Sequence, residues 1–209
     1  MDQQEEIDAY SLGAASDHLD RLDTECVQAI VGMQARPRWW LDAGCGPGQI
    51  ACKIADRTAA RIIGVDRAFG MLQRARDRAL AEGLASRAFF VQADAAALPF
   101  REAAFDLVYS NSVLHHLIRP EDFFREAARV TGSGGKFFLR DLARPMRWRM
   151  RRHISFHGRH YAGLMRRLFE ASVRAAYTPV EARRLGRAAG FCDARVQQQG
   201  ALYLIIRRD

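Results

Sequence analysis

Four acids, three glycines and a pair of adjacent histidines stand where this chain would do chemistry. Asp42 ends the apolar run Trp39-Trp40-Leu41 and opens onto Gly44-Cys45-Gly46-Pro47-Gly48. Asp66 ends Arg61-Ile62-Ile63-Gly64-Val65, and Asp94 ends Ala88-Phe89-Phe90-Val91-Gln92-Ala93. Asn111 closes Phe105-Asp106-Leu107-Val108-Tyr109-Ser110, and Asp141 closes Lys136-Phe137-Phe138-Leu139-Arg140. His115 and His116 lie between those last two runs. A carboxylate accepts hydrogen bonds from a hydroxyl pair or an amine. Glycine lets a ligand lie against the backbone where a Cβ would clash. An imidazole moves a proton near neutral pH.

The elements that must position these groups follow from the pattern. Short apolar strands alternate with helical stretches, which predicts an α/β fold with a parallel, doubly wound sheet. The periodicity predicts one or two helices over 7–35, with Leu19, Leu22, Cys26, Ile30 and Met33 on one face. Strands are expected at 39–43, 61–66, 88–94, 105–111 and 136–141. Helices are expected at about 48–57, 68–83, 121–131, 159–175 and 179–189. Thr178-Pro179 suits an N-cap with proline at the first helical position. Two closing strands, 193–199 and 201–207, flank Gly200 and read as an antiparallel pair at the sheet edge.

A strand, a Gly-rich turn and a helix together build a nucleotide-type ligand site at the carboxyl end of a parallel strand. The spacing narrows the ligand. A dinucleotide fingerprint fails because Gln49 stands where a third spaced glycine is required, and no Gly-Lys-Ser or Gly-Lys-Thr forms a phosphate loop. The pattern Asp-x-Gly-x-Gly-x-Gly instead resembles the first motif of class I S-adenosylmethionine (SAM) dependent methyltransferases. Ser110-Asn111-Ser112-Val113-Leu114-His115-His116-Leu117 resembles the fourth motif of their small-molecule, "type 11" branch. The resemblance covers roughly 39–207 and is best up to 141. It implies a Rossmann-like sheet of seven strands in the order 3-2-1-4-5-7-6, with an antiparallel last strand.

Each chemical feature of SAM then finds a candidate group. Gly44, Gly46 and Gly48 allow close approach of the methionyl and ribose portion. Asp42 accepts from the methionyl amine, directly or through water, and the Asn111 backbone carbonyl is a second acceptor. Asp66, 24 residues after Asp42, takes both ribose hydroxyls. Asp94 and the Ala95 N–H take the adenine edge, while Arg67 and Met71 flank its faces. His115, His116 and Asp141 are the candidates for a general base. Tyr10 and His18, on an N-terminal helical cap (1–36), and Arg144 and Arg147, in a basic segment (142–177), are candidate substrate contacts.

What is missing also excludes chemistry. Amine methylation on bases usually goes with Asn/Asp-Pro-Pro-Tyr/Phe where this chain has Ser-Asn-Ser-Val, and no cysteine lies between Cys52 and Cys192 to act as a nucleophile. The four cysteines form no C-x-x-C pair, so no metal site or disulfide framework is expected, and cytoplasmic localisation is the default. The acidic start Met1-Asp2-Gln3-Gln4-Glu5-Glu6 is no signal peptide, and no apolar run is long enough to span a membrane.

The 209 residues suit one methyltransferase domain, as monomer or homodimer, with a net charge of +8 placed unevenly. Residues 1–118 carry 12 basic and 16 acidic residues, whereas 119–209 carry 20 and 8. From Arg144 to Arg152 five of nine residues are Arg, with Trp148 and Met150 between them and His153, His157 and His160 after them. This segment reads as a lid for an anionic substrate, as a patch against nucleic acid or anionic lipid, or as a solvated connection. A small-molecule acceptor methylated at O, N or C is the leading expectation. An RNA methyltransferase and a non-catalytic SAM-binding protein are the alternatives.

Overall fold

The computed structural model describes Glu5, residues 17–188, 190, 191 and 193–209. Helix α1 (Asp17–Val31) precedes β1 (Trp39–Ala43), α2 (Gln49–Arg57), β2 (Arg61–Asp66), α3 (Phe69–Ala81), β3 (Ala88–Gln92) and β4 (Leu107–Asn111). Then come α4 (Pro120–Thr131), β5 (Lys136–Leu142), α5 (Met150–His157), α6 (Gly163–Ala175), α7 (Pro179–Ala188), β6 (Arg195–Gln199) and β7 (Tyr203–Arg208). The seven strands run β3-β2-β1-β4-β5-β7-β6, the order that the resemblance implies. β7 pairs antiparallel with both β5 and β6, so the closing hairpin folds back to put its second strand innermost.

The central strands are apolar on both faces, as a sheet covered twice must be. Trp40, Tyr109 and Phe138 face a layer built from Ile30 of α1, Ile54 of α2 and Leu72 of α3. Leu41, Val108 and Phe137 alternate to the other face, against Phe123 and Phe124 of α4 and Ala182 of α7. Helix ends follow local chemistry. Thr178 and Glu181 form a reciprocal cap on α7, with the Thr178 N–H donating to Glu181 Oε2 at 2.8 Å and the Glu181 N–H to Thr178 Oγ1 at 3.3 Å. Gly83, at φ +71°, ends the turn after α3, whose carbonyls Leu80 and Ala79 take the Gly83 and Leu84 N–H groups.

Two differences from the sequence reading matter for the site. β3 stops at Gln92, and Asp94 lies beyond it in an isolated bridge with Ala97. The basic segment is largely helical: a 3-10 turn at Arg147–Arg149 runs into α5, a second such turn spans Gly158–His160, and α6 starts only at Gly163. Met150–His157 buries only His153 and Ile154, so it lacks the apolar stripe by which a helix is read. Tyr10 lies outside the described residues.

Candidate active site

A cleft of about 290 Å³ opens at the carboxyl ends of β1, β2 and β4. This is where an open α/β sheet offers a crevice, because the strand order reverses direction there. Asp42, Gly44, Gly46, Asp66, Arg67, Met71, Asp94, Ala95 and Asn111 all line it. Gly48 does not. It begins α2 at φ +80°, and a Cβ there would lie 2.8 Å from Ala75 Cβ. The missing Cβ lets α2 pack closely on α3. Gly44 sits on the cleft wall at φ +81°, with space so tight that a Cβ would meet Val113 Cγ2 at 2.2 Å.

Hydrogen bonds hold the loop in place. Gly44 and Cys45 both donate their N–H to Val65 O at 2.8 Å. The Gly46 N–H donates to Asp66 Oδ2 and the Ala68 N–H to Asp66 Oδ1, each at 2.9 Å. Asp66 is thus oriented by two backbone donors, with lone pairs remaining for a ligand diol. Asp94 is steadied by the Ala96 N–H at 2.8 Å, and Arg67 Nε stands 4.0 Å from its other oxygen.

Asp42 is the most informative group. It is 2% exposed and its Oδ2 has no hydrogen-bond partner. Burial first, then the charges of Asp66 and Asp23, hold its carboxyl well above the usual range. The Tyr109 hydroxyl favours the ionised form slightly, yet its geometry falls short of a hydrogen bond. A buried acid without a donor, aimed at a cleft, asks for a cationic or donating ligand group. Asp23 on α1, which the sequence reading missed, also lines the cleft. Burial raises it to about 6 against the opposing pull of Arg140 and Lys53. Only the fold brings α1 over the cleft, so spacing along the chain carried no signal for Asp23.

Beneath Asn111 lies a buried guanidinium. Arg140 Nε donates to Asn111 Oδ1 at 2.8 Å, and its Nη1 donates to Leu22 O at 2.8 Å, tying α1 to the sheet. The Asn111 side-chain oxygen is therefore engaged by Arg140, while its backbone carbonyl is the group assigned to the ligand. The next residue, Ser112, holds φ +59°, a left-handed conformation costly for a residue with a Cβ.

The histidine pair divides. His115 Nδ1 lies 2.6 Å from Asp141 Oδ1, both side chains are almost wholly buried, and neither lines the cleft. Asp141 also accepts the Leu114 N–H at 2.7 Å and the Leu142 N–H at 2.7 Å. This His115–Asp141 unit locks the 3-10 turn Leu114–His116 onto β5. His116 lines the cleft, with its ring 4.0 Å from that of His115. Its ring is open to solvent but set among dense protein. That desolvation, followed by the neighbouring His115, lowers its pKa to about 4.

Of the proposed substrate contacts, the described ones, His18, Arg144 and Arg147, lie off the cleft wall. Arg144 is paired with Glu181, and its N–H donates to Tyr177 O at 2.9 Å. Arg147 is exposed. His18 stacks on His160 at 4.0 Å, joining α1 to the basic segment. From α1, Leu19 and Asp23 reach the cleft itself.

Comparison with known proteins agrees with this geometry. Residues 41–139 match the family model described as a methyltransferase domain. Residues 41–139 of this chain carry a class I SAM-dependent methyltransferase domain. It is 37% identical over 102 residues to 27-O-demethylrifamycin SV methyltransferase of Amycolatopsis mediterranei, covering 49% of this chain and 38% of that one. To malonyl-[acyl-carrier protein] O-methyltransferase of Geobacter sulfurreducens it is 34% identical over 143 residues, covering 66% and 52%. The chain thus spans only part of the length of these relatives. The methyltransferase domain also superposes on a SAM dependent methyltransferase from Aquifex aeolicus, with TM-score 0.64 and 16% identity over 91% of this chain and 95% of that one. Phosphoethanolamine N-methyltransferase 2 of Haemonchus contortus, solved with S-adenosyl-L-methionine, gives 0.67 and 20% over 92% and 43%. At these identities the likeness to solved structures is one of fold.

Proposed function

We propose that this protein transfers a methyl group from SAM to a small-molecule acceptor at oxygen, nitrogen or carbon. The observation that carries the reading is the orphaned Asp42 carboxyl in a cleft also lined by Asp23, Asp66 and Asp94. A chain with net charge +8 has placed four acids around one cavity, where Arg67 is the lone guanidinium among the described residues and already faces Asp94. Such a site suits a ligand with an ammonium, a sulfonium, a diol and no phosphate. Asp42 and the Asn111 backbone carbonyl would hold the amine, Asp66 the ribose, and Asp94 with Ala95 the adenine edge, with Arg67 and Met71 beside its faces.

SAM, when bound, supplies a methyl group on a sulfonium that a well-placed nucleophile attacks readily. The protein's task is then to orient the acceptor and exclude water. Leu19 and Asp23 of α1 form one side of the cleft and would cover the bound pair. Among the described residues His116 is the one imidazole on the cleft wall, and with a pKa of about 4 it is neutral at pH 7. It would take a proton only from an acceptor that loses one readily, so alignment dominates the rate. The test is methyl transfer from labelled SAM into a cell extract separated into RNA, protein, lipid and small-molecule fractions. Label in the small-molecule fraction, with S-adenosylhomocysteine formed alongside, is expected. Label confined to RNA, or none despite SAM binding, would overturn the reading.

A further inference from the structure

The methyl-transfer reading leaves the basic segment unused. Between Asp141 and Glu170 there is no acidic residue, while eight arginines (144, 147, 149, 151, 152, 159, 166 and 167) and three histidines fall in that stretch. Arg144 is neutralised by Glu181. Arg147, Arg151 and Arg152 are exposed and make no ion pair among the described residues.

The same segment exposes large apolar side chains. Met146, Trp148 and Phe156 are 56%, 72% and 55% exposed. Trp148, Arg152 and Phe156 recur at four-residue steps through a continuous helical run, so they share one face. The opposite face is anchored: Ile154 packs with Leu142, Phe169, Val173 and Ala176. The result is a short helix held firmly from behind, which presents aromatic rings among guanidinium groups that make no ion pair among the described residues.

We propose that the face from Met146 to His160 docks this protein onto the surface of an anionic lipid bilayer. Charge complementarity selects the partner, and the apolar residues select a bilayer over other polyanions. Trp148 and Phe156 supply rings that settle at the headgroup and acyl boundary, while the arginines stay with the lipid phosphates. Nucleic acid fits less well. Base stacking needs open aromatic faces, and here Arg149 lies over Trp148 at 4.4 Å and Arg159 over Phe156 at 4.2 Å. The docking face adjoins the cleft cover, since His160 at its end stacks on His18 of α1. Docking stands whether or not the chain transfers methyl groups.

Co-sedimentation of the whole chain with vesicles tests this. At ionic strength near 0.1 M the protein should bind vesicles of phosphatidylcholine mixed with phosphatidylglycerol and ignore pure phosphatidylcholine. Binding should fall steeply at about 1 M salt. The R147A/R149A/R151A/R152A variant should bind more weakly by about a hundredfold or more. The W148A/F156A variant should lose at least about tenfold. Circular dichroism and thermal melting check that each variant folds. If one does not, the intact protein still decides: its tryptophan emission should shift to the blue on the anionic vesicles, and Trp148→Phe should remove most of the shift, since Trp40 is buried and Trp39, half-buried at the start of β1, packs against Phe89 and Arg61. No binding to the anionic vesicles at low salt, or no emission shift on binding, would overturn the proposal. So would tighter binding to single-stranded RNA than to vesicles.

Discussion

Replacing Asp42 by Asn separates a ligand role from a structural one, because the two make opposite predictions. Asp42 lies at the end of β1, 2% exposed, with Oδ2 unpartnered and Asp66 and Asp23 as its nearby charges. Without ligand the fold resists its ionisation. Its pKa is raised, so the folded state holds a proton that the unfolded chain releases, and stability falls as pH rises above the usual carboxylate range. Each pH unit between the unfolded and folded values costs about 1.4 kcal/mol. Asn keeps the shape and cannot ionise, so between pH 5 and 8 the ligand-free variant should hold its melting temperature better than wild type. With SAM the sign reverses. Losing one charge-assisted hydrogen bond costs about 1.5–3 kcal/mol, or roughly a tenfold to 150-fold rise in Kd. Titration calorimetry with SAM at pH 7, beside apo melting curves across that range, reads both. An unchanged Kd would remove Asp42 from the ligand site. A variant that grows less stable relative to wild type as pH rises would mean Asp42 is ionised and paired without ligand, and the reasoning would fail.

Other perturbations follow from the same geometry. Asp66→Ala should weaken SAM at least about tenfold, since it removes a ligand acceptor and frees the Gly46 and Ala68 N–H groups that it orients; calorimetry checks it. SAM affinity should rise from pH 5 to 7 as Asp23, with its pKa of about 6, becomes a carboxylate facing a cationic ligand, and Asp23→Asn should flatten that dependence. Gly44→Ala should destabilise the fold by about 1–3 kcal/mol or more in denaturant melts, because its Cβ would strike Val113 at φ +81°. His115→Gln should lower the melting temperature through loss of the Asp141 contact and leave the pH profile of methyl transfer in place, whereas His116→Gln should alter that profile and spare stability.

Most of the frame was legible because it rests on local rules. Apolar strands ending in acids, glycine turns and capped helices marked most of the elements, the family resemblance that they carry implied the strand order, and nine of the ten assigned cofactor residues line the cleft. Gly48 is the exception, because a helix-packing glycine and a ligand-facing glycine look alike until Ala75 is placed opposite it. The paired histidines looked equivalent, and only the buried Asp141 contact separates them. Asp23 was invisible because it reaches the cleft through the docking of α1, a long-range event. α5 was obscured because its exposed face is arginine and aromatic, whereas the helical pattern needs a buried stripe. The arginine–glutamate pair between Arg144 and Glu181 joins residues from separate elements and has no local signature.

The most direct test of the central claim is an experimental structure of the complex with S-adenosylhomocysteine. The account predicts the ribose hydroxyls on Asp66, the adenine beside Asp94 and Met71, and the amine at Asp42 and the Asn111 carbonyl. An adenosyl group bound elsewhere, or Asp42 still without a partner in the complex, would contradict it.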